Sequence, residues 1–309
     1  MNETRRISMG ESVQTIPSST ARWISAARPK TLPLTLTPVI AGIALAVAET
    51  GSLALLIALG TLLAAMAIQI GTNLHNDAAD FERGTDTPDR LGPPRATAQG
   101  WLSARQVKTG AHLMFALAFA LGMLLLLRGG LPILAIGLAS LAAGYAYTSG
   151  PRPIAYGPFG EVHVLLFFGM AAVGGSYYLQ ALTFGWTPLL AGFALGLPAA
   201  AVLLVNNYRD LETDVAAGRR TLCHYLGRAR ARIFYALLLL TPIPILMTLD
   251  LPGPAWPLLA ALPAAIALSV RLFRGAHGLA LNAQLARTAQ YQALLAGLMV
   301  LGILIPDLG

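Results

Sequence analysis

Spanning about 30 Å of hydrocarbon takes roughly 20 apolar residues of helix, and this chain supplies such stretches repeatedly between clusters of Gly, Pro and charge. They cover 32–48, 53–75, 110–127, 131–147, 162–183, 188–206, 232–249, 255–273 and 285–306. The fold expected is all-α, a polytopic membrane bundle of about nine helices. The first stretch is short and carries Pro33 and Pro38, so a tilt or kink is expected there. The opening segment MNETRRISMGESVQTIPSST lacks a continuous apolar core and does not read as a cleavable signal peptide. Residues 1–22 are expected to form a flexible tail, and 23–309 the transmembrane domain.

Composition agrees with this pattern. Of 309 residues, 56% are hydrophobic and 11% charged, with a mean hydropathy of +0.64, which excludes an ordinary soluble domain. A net charge of +7 raises nucleic acid as a partner, until the basic residues are placed on the topology. With nine crossings, all of the 21 Lys and Arg residues except Arg128 fall on one side or at the adjoining helix ends. The positive-inside rule makes that side cytoplasmic, with the N-terminus and its tail inside and the C-terminus outside. The charge then reports orientation in a lipid membrane, and no nucleic-acid partner is expected. Cys223 is the only cysteine, so there is no intrachain disulfide.

The second apolar stretch ends in NLHNDAADFERGTDTPDR. Continued as a helix at 100° per residue, it places Gln69, Asn73, Asn76 and Asp80 within an arc of about 60°, with Asp77 near its edge. The sixth stretch ends alike, in NNYRDLETDVAAGRRTL, where Asn206, Asp210 and Asp214 follow at i, i+4 spacing over about 80°. Four crossings separate the two, so both run the same way and deliver their acids to one membrane face, as in a parallel pseudo-repeat. Carboxylates so spaced repel one another and oppose the negative end of the helix dipole. Arg83, Arg90, Arg95, Arg209, Arg219 and Arg220 could compensate locally. Asp and Asn side chains facing across a gap also supply the hard oxygens that Mg²⁺ takes, leaving positions for phosphate oxygens. The five histidines are scattered without a metal-ligand pattern, and no Walker or dinucleotide glycine motif is present.

These residues resemble the UbiA superfamily of intramembrane prenyltransferases, nine-helix enzymes with two aspartate-rich motifs on helices 2 and 6. The family pattern Asn-x-x-x-Asp-x-x-x-Asp is met in full by Asn206, Asp210 and Asp214. The first motif matches in part, through Asn76, Asp77 and Asp80, because the next four-residue step lands on Gly84 and the following acid is Asp86. The segment NDAADFERGTDTPDRLGPPRATAQGWLS, with ARPKTLPL, AYTSGPRPIAYGPFGEVHVLLFFG and NNYRDLETDVAAGRRTL, is similar to the 1,4-dihydroxy-2-naphthoate polyprenyltransferase branch.

The resemblance implies a UbiA-type bundle in the cytoplasmic (inner) membrane. It also implies transfer of a long isoprenoid from a polyprenyl diphosphate to an aromatic acid with loss of CO₂, giving demethylmenaquinone. Mg²⁺ held by Asp80, Asp210 and Asp214, assisted by Asn76, Asp77 and Asn206, would stabilise the departing pyrophosphate, with Arg83, Arg95 and Arg219 on the phosphates. Tyr147, Tyr156 and Tyr208 are candidates to face the allylic cation. Arg28 and Lys30, or Arg152, could pair with the acceptor carboxylate. Prenylation of 4-hydroxybenzoate or another ring is the alternative within the class, and a membrane transporter the alternative outside it.

Overall fold

The computed structural model describes residues 17–85 and 91–305, and among them every regular element is helical. In chain order these are α1 (Ser19–Ala27), α2 (Leu32–Thr50), α3 (Leu55–Glu82), α4 (Ala104–Ala146), α5 (Gly160–Leu165), α6 (Ala172–Ala181), α7 (Trp186–Arg209), α8 (Leu211–Ala216), α9 (Leu222–Leu240), α10 (Pro242–Met247), α11 (Leu262–Phe273) and α12 (Ala280–Leu304). A π-wound segment, Leu166–Ala171, joins α5 to α6, so Gly160–Ala181 runs as one apolar rod. Among the described residues, seven rods are long and apolar enough to cross a membrane.

The apolar stretches of the sequence therefore recur as helices, with informative differences at their joints. The 43-residue α4 breaks at Gly130, whose φ of 60° and ψ of −156° suit only glycine. Its two arms fold back on each other, since Gly144 lies against Phe115 of the opposite arm. The sequence places an interruption at the same point, between 127 and 131. In α2, Pro38 is accommodated within a continuous helix, and Pro33 sits in the first turn, where no amide hydrogen is needed. Large side chains such as Leu56, Leu127, Leu131 and Trp186 stand at least three-quarters exposed, as lipid-facing positions would.

Only the last part of the expected tail is described. Residues 1–16 lie outside the described residues, but the chain is helical from Ser19. Ser18 caps α1 by accepting the Ala21 amide at 3.3 Å. Arg22 then pins the helix, donating to the Pro17 carbonyl at 2.7 Å and the Trp101 carbonyl at 3.2 Å, while Trp23 packs on Gly110 of α4.

At the centre stands α7, the most enclosed of the long helices. It meets the π-wound segment without side chains between the backbones. A Cβ on Gly169 would lie 2.3 Å from the Gly192 carbonyl oxygen, and one on Gly196 would lie 2.8 Å from the Leu165 carbonyl oxygen. Small residues at this seam allow the close approach that helices in lipid use in place of a hydrophobic driving force. The seam fixes the height of the lower half of α7, and with it the acids at the helix end.

Candidate active site

The first acidic stripe lies on α3, which continues without interruption to Glu82. Asp77 and Asp80 are both buried there, at 0% and 2% exposure. Burying two carboxylates demands partners, and the segment between α3 and α4 provides them. The Ala96 and Thr97 amides donate to the Asp77 carboxylate at 3.0 and 3.2 Å, and the Thr97 hydroxyl donates to it as well. Asp77 therefore anchors a loop. Two backbone amides and one hydroxyl engage its carboxylate, a structural role that the spacing of the acids did not suggest.

Asp80 has a different set of partners. Arg95 donates to one carboxylate oxygen at 2.8 Å and Arg219 to the other at 2.6 Å. Arg219 also donates to the Thr85 hydroxyl at 2.9 Å and approaches Asp214 at 3.6 Å. One guanidinium thus joins the first motif to the second. Burial disfavours its charge, but Asp80, Tyr156 and Asp214 reverse the effect and raise its pKa above that of a free arginine. The Tyr156 ring lies under it, 4.5 Å from the guanidinium carbon, with Arg83 on the same ring at 5.2 Å.

The second stripe is not the single helix expected from its spacing. α7 ends at Arg209, Asp210 occupies the joint with φ −95° and ψ 11°, and Asp214 belongs to the short α8. The Asp214 amide still donates to the Asp210 carbonyl at 2.7 Å, which keeps the two acids a turn apart. Arg209, 3% exposed, grips Asp210 with both arms: Nε to one oxygen at 2.7 Å and Nη2 to the other at 2.6 Å. The same Nη2 donates to the Asn206 side-chain oxygen, Oδ1, at 2.8 Å.

The remaining expected residues divide. Asn76 accepts from the Thr148 hydroxyl at 2.8 Å and, with Tyr147, lines a cavity of about 300 Å³. Gln69, Asn73 and His163 share that polar end, and the walls run apolar to Leu125, Ile133 and Leu179. Between Asn76 and Thr61, both on its lining, α3 rises about 22 Å. Arg83 donates to the Gly150 carbonyl at 3.1 Å and shares the Tyr156 ring with Arg219. Tyr208 is buried beneath Arg228 and Arg232, and its hydroxyl accepts from Arg232 at 2.8 Å, so it serves the α7–α9 contact. Lys30 and Arg152 are exposed. Arg28 is half-buried in a left-handed conformation, φ 54° and ψ 65°, immediately before Pro29. That turn is held by Asn73, whose amide donates to the Ala27 carbonyl at 2.9 Å and the Thr31 hydroxyl at 3.0 Å. Asp86 and Arg90 lie outside the described residues. Two contributors carry no signal in the spacing: Asn207, which donates to buried Glu161 at 2.9 Å, and Asn282, discussed below.

The donor set suits a hard cation. Asp80, Asp210, Asp214, Asn76 and Asn206 offer only oxygen, as Mg²⁺ requires, and the position between Asp80 and Asp214 is already filled by the positive charge of Arg219. Among the described residues no three acidic, His or Cys side chains converge closely enough to hold an ion by themselves. Exchange of an arginine for a cation, with phosphate oxygens completing the shell, is what this geometry can accommodate.

Fold and site together define a polytopic integral membrane protein that carries two acid-bearing helix ends over an apolar cavity. The chain belongs to the UbiA prenyltransferase family, whose model matches residues 35–303. It is 36% identical over 296 residues to a 1,4-dihydroxy-2-naphthoate octaprenyltransferase of Escherichia coli, covering 93% of this chain and 96% of that protein. It is 38% identical over 257 residues to one of Mycobacterium tuberculosis, covering 81% and 85%. A UbiA homolog from Archaeoglobus fulgidus bound to DMAPP and Mg²⁺ shares the fold with a TM-score of 0.63 and 17% identity, over 91% of this chain and 99% of that one.

Proposed function

We propose that this protein transfers a polyprenyl group from its diphosphate to 1,4-dihydroxy-2-naphthoate, releasing pyrophosphate and CO₂. The observation that carries the reading is the convergence of Asp80 and Asp214 on Arg219 beside the polar end of a long apolar cavity. Sequence relatives of matching length, named for this acceptor, support the choice of ring.

Bound Mg²⁺ would neutralise charge on the leaving pyrophosphate, with Asp80, Asp210 and Asp214 as its carboxylate ligands and Asn76 and Asn206 beside them. Arg95 and Arg219, once shared with phosphate oxygens, add fixed positive charge where negative charge collects. The cavity takes the isoprenoid tail and excludes water from the allylic carbon, and Tyr147, which lines the cavity's polar end, is the aromatic ring assigned to face that carbon. The allylic C–O bond breaks with its electron pair leaving on pyrophosphate. The ring carbon bearing the carboxylate forms the new C–C bond. Loss of CO₂ then returns an electron pair to the ring and gives the reduced form of demethylmenaquinone. Arg28, placed by the Asn73-held turn, is the cation assigned to the acceptor carboxylate; Lys30 and Arg152 are left to the membrane surface. The acid mouth faces the cytoplasm, since all basic residues but Arg128 fall on that side of the proposed topology, and the membrane we assign is the inner one. Residues before the transmembrane domain form a cytoplasmic extension.

The test is purified protein with Mg²⁺, a long-chain prenyl diphosphate and either 1,4-dihydroxy-2-naphthoate or 4-hydroxybenzoate, products identified by mass. A decarboxylated prenyl-naphthoquinone is expected. Prenylated hydroxybenzoate alone would overturn the acceptor and keep the chemistry.

A further inference from the structure

The grip of Arg209 on Asp210 is itself held by a residue from the far end of the chain. Asn282, in the first turn of α12, accepts from Arg209 Nη1 at 2.7 Å through its side-chain oxygen. Its amide nitrogen donates at 2.8 Å to the carbonyl of Leu91, in the segment that follows α3. The Leu91 bond fixes which way the amide faces, so its oxygen is presented to the guanidinium. Arg209 then spends Nη1 on Asn282, Nη2 on Asn206 and Asp210, and Nε on Asp210. The guanidinium is planar and rigid, so fixing one arm fixes the direction of the others.

We propose that Asn282 is a positioning residue for the second acid motif: through Arg209 it sets the orientation of the Asp210 carboxylate toward a divalent cation. The inference rests on the reading of Asp210 as a metal ligand given above. It assigns a role to a side chain 72 residues downstream of Asp210, outside both motifs. Without Asn282, Arg209 keeps Asp210 but loses its third fixed point. The side-chain pair can then swing about its own torsions at the joint after α7, although the backbone there stays bonded through the Asp210 amide to the Asn206 carbonyl at 3.1 Å. The same asparagine holds Leu91, four residues before Arg95, so one side chain steadies partners of both Asp210 and Asp80.

The experiment is Mn²⁺ binding to the full-length protein in lipid nanodiscs, followed by electron paramagnetic resonance in the presence of inorganic pyrophosphate. Asn282→Ala is expected to weaken Mn²⁺ binding about ten-fold, the scale of one hydrogen bond to a charged group, while the KM for the aromatic acceptor stays unchanged. Asn282→Asp keeps an acceptor for Arg209 without needing Leu91 to orient it, and should hold Mn²⁺ affinity within a factor of about two of wild type. Wild-type affinity in the alanine variant, or an equal loss in both variants, would overturn the inference; the aspartate variant decides the matter should the alanine variant fail to fold. Asp210→Asn serves as the reference: if it binds Mn²⁺ as wild type does, the metal reading itself fails, separately from the role of Asn282.

Discussion

The two acid-bearing helix ends share a spacing and differ in construction. On α3 the acids ride an unbroken helix and are buried almost completely, with partners brought in from the loop at 95–97 and from Arg219. At α7 the helix stops, Asp210 turns the chain, and the nearest arginine is its own neighbour in sequence. Burial at the first end is offset by hydrogen bonds from elsewhere in the fold, so one of its two aspartates has become architecture. At the second end both acids keep some access to water, on a backbone that changes helix at Asp210. The first end supplies a continuous wall of the site and the second a jointed one.

Loss of Asp80 should produce the largest effect that this contrast implies. Asp80→Ala is expected to lower turnover by about 1,000-fold, read as pyrophosphate release, and Asp214→Ala, on the jointed side, by about 100-fold. A reversal of that order would break the comparison. Next comes Asp77, where the prediction concerns stability: Asp77→Ala strips three donors of their partner and should cost about 3 kcal/mol. Lowered midpoint in thermal unfolding, with an unaltered Mg²⁺ requirement in the protein that remains folded, is the expected pair of results. A raised Mg²⁺ requirement would return Asp77 to the ligand set. The smallest effect belongs to Glu212 on α8, 70% exposed and paired with Arg228 at 2.6 Å. Glu212→Ala, which leaves Arg228 its contacts with Tyr208, should change stability by less than about 1 kcal/mol in the same unfolding measurement. A larger change would mean that α8 is held in place more firmly than its surface contacts imply.

Much of this was legible in the residue order. Long apolar runs specify helices wherever a bilayer removes the choice, and Gly129, Gly130 and Pro132 mark the fold in α4. Asn76 and Asp80 could be placed on one face because α3 obeys its period to the end. The break at Asp210 could not, since neither Gly nor Pro announces it; Asp210 closes one helix and opens the next. Nor could the fate of Asp77 be read, because its partners are backbone amides some 20 residues away, and an amide is carried by every residue but proline. Asn282 is a single polar residue at a helix start, indistinguishable by spacing from a solvated one. The helix at Ser19–Ala27 escaped because it is short, and its anchor, the Trp101 carbonyl, is remote in sequence.

The glycine seam bears on how tolerance to mutation should be interpreted in this protein. A survey of every single substitution, scored by growth, would find Gly169 and Gly196 as unforgiving as Asp80, because a methyl group at either meets backbone that has nowhere to go. Such a map would draw a hot zone deep in the bilayer, far from any reacting atom. Its intolerance would record the fit of two helices, so a residue's sensitivity here ranks its importance to the cell without saying which kind of importance it is.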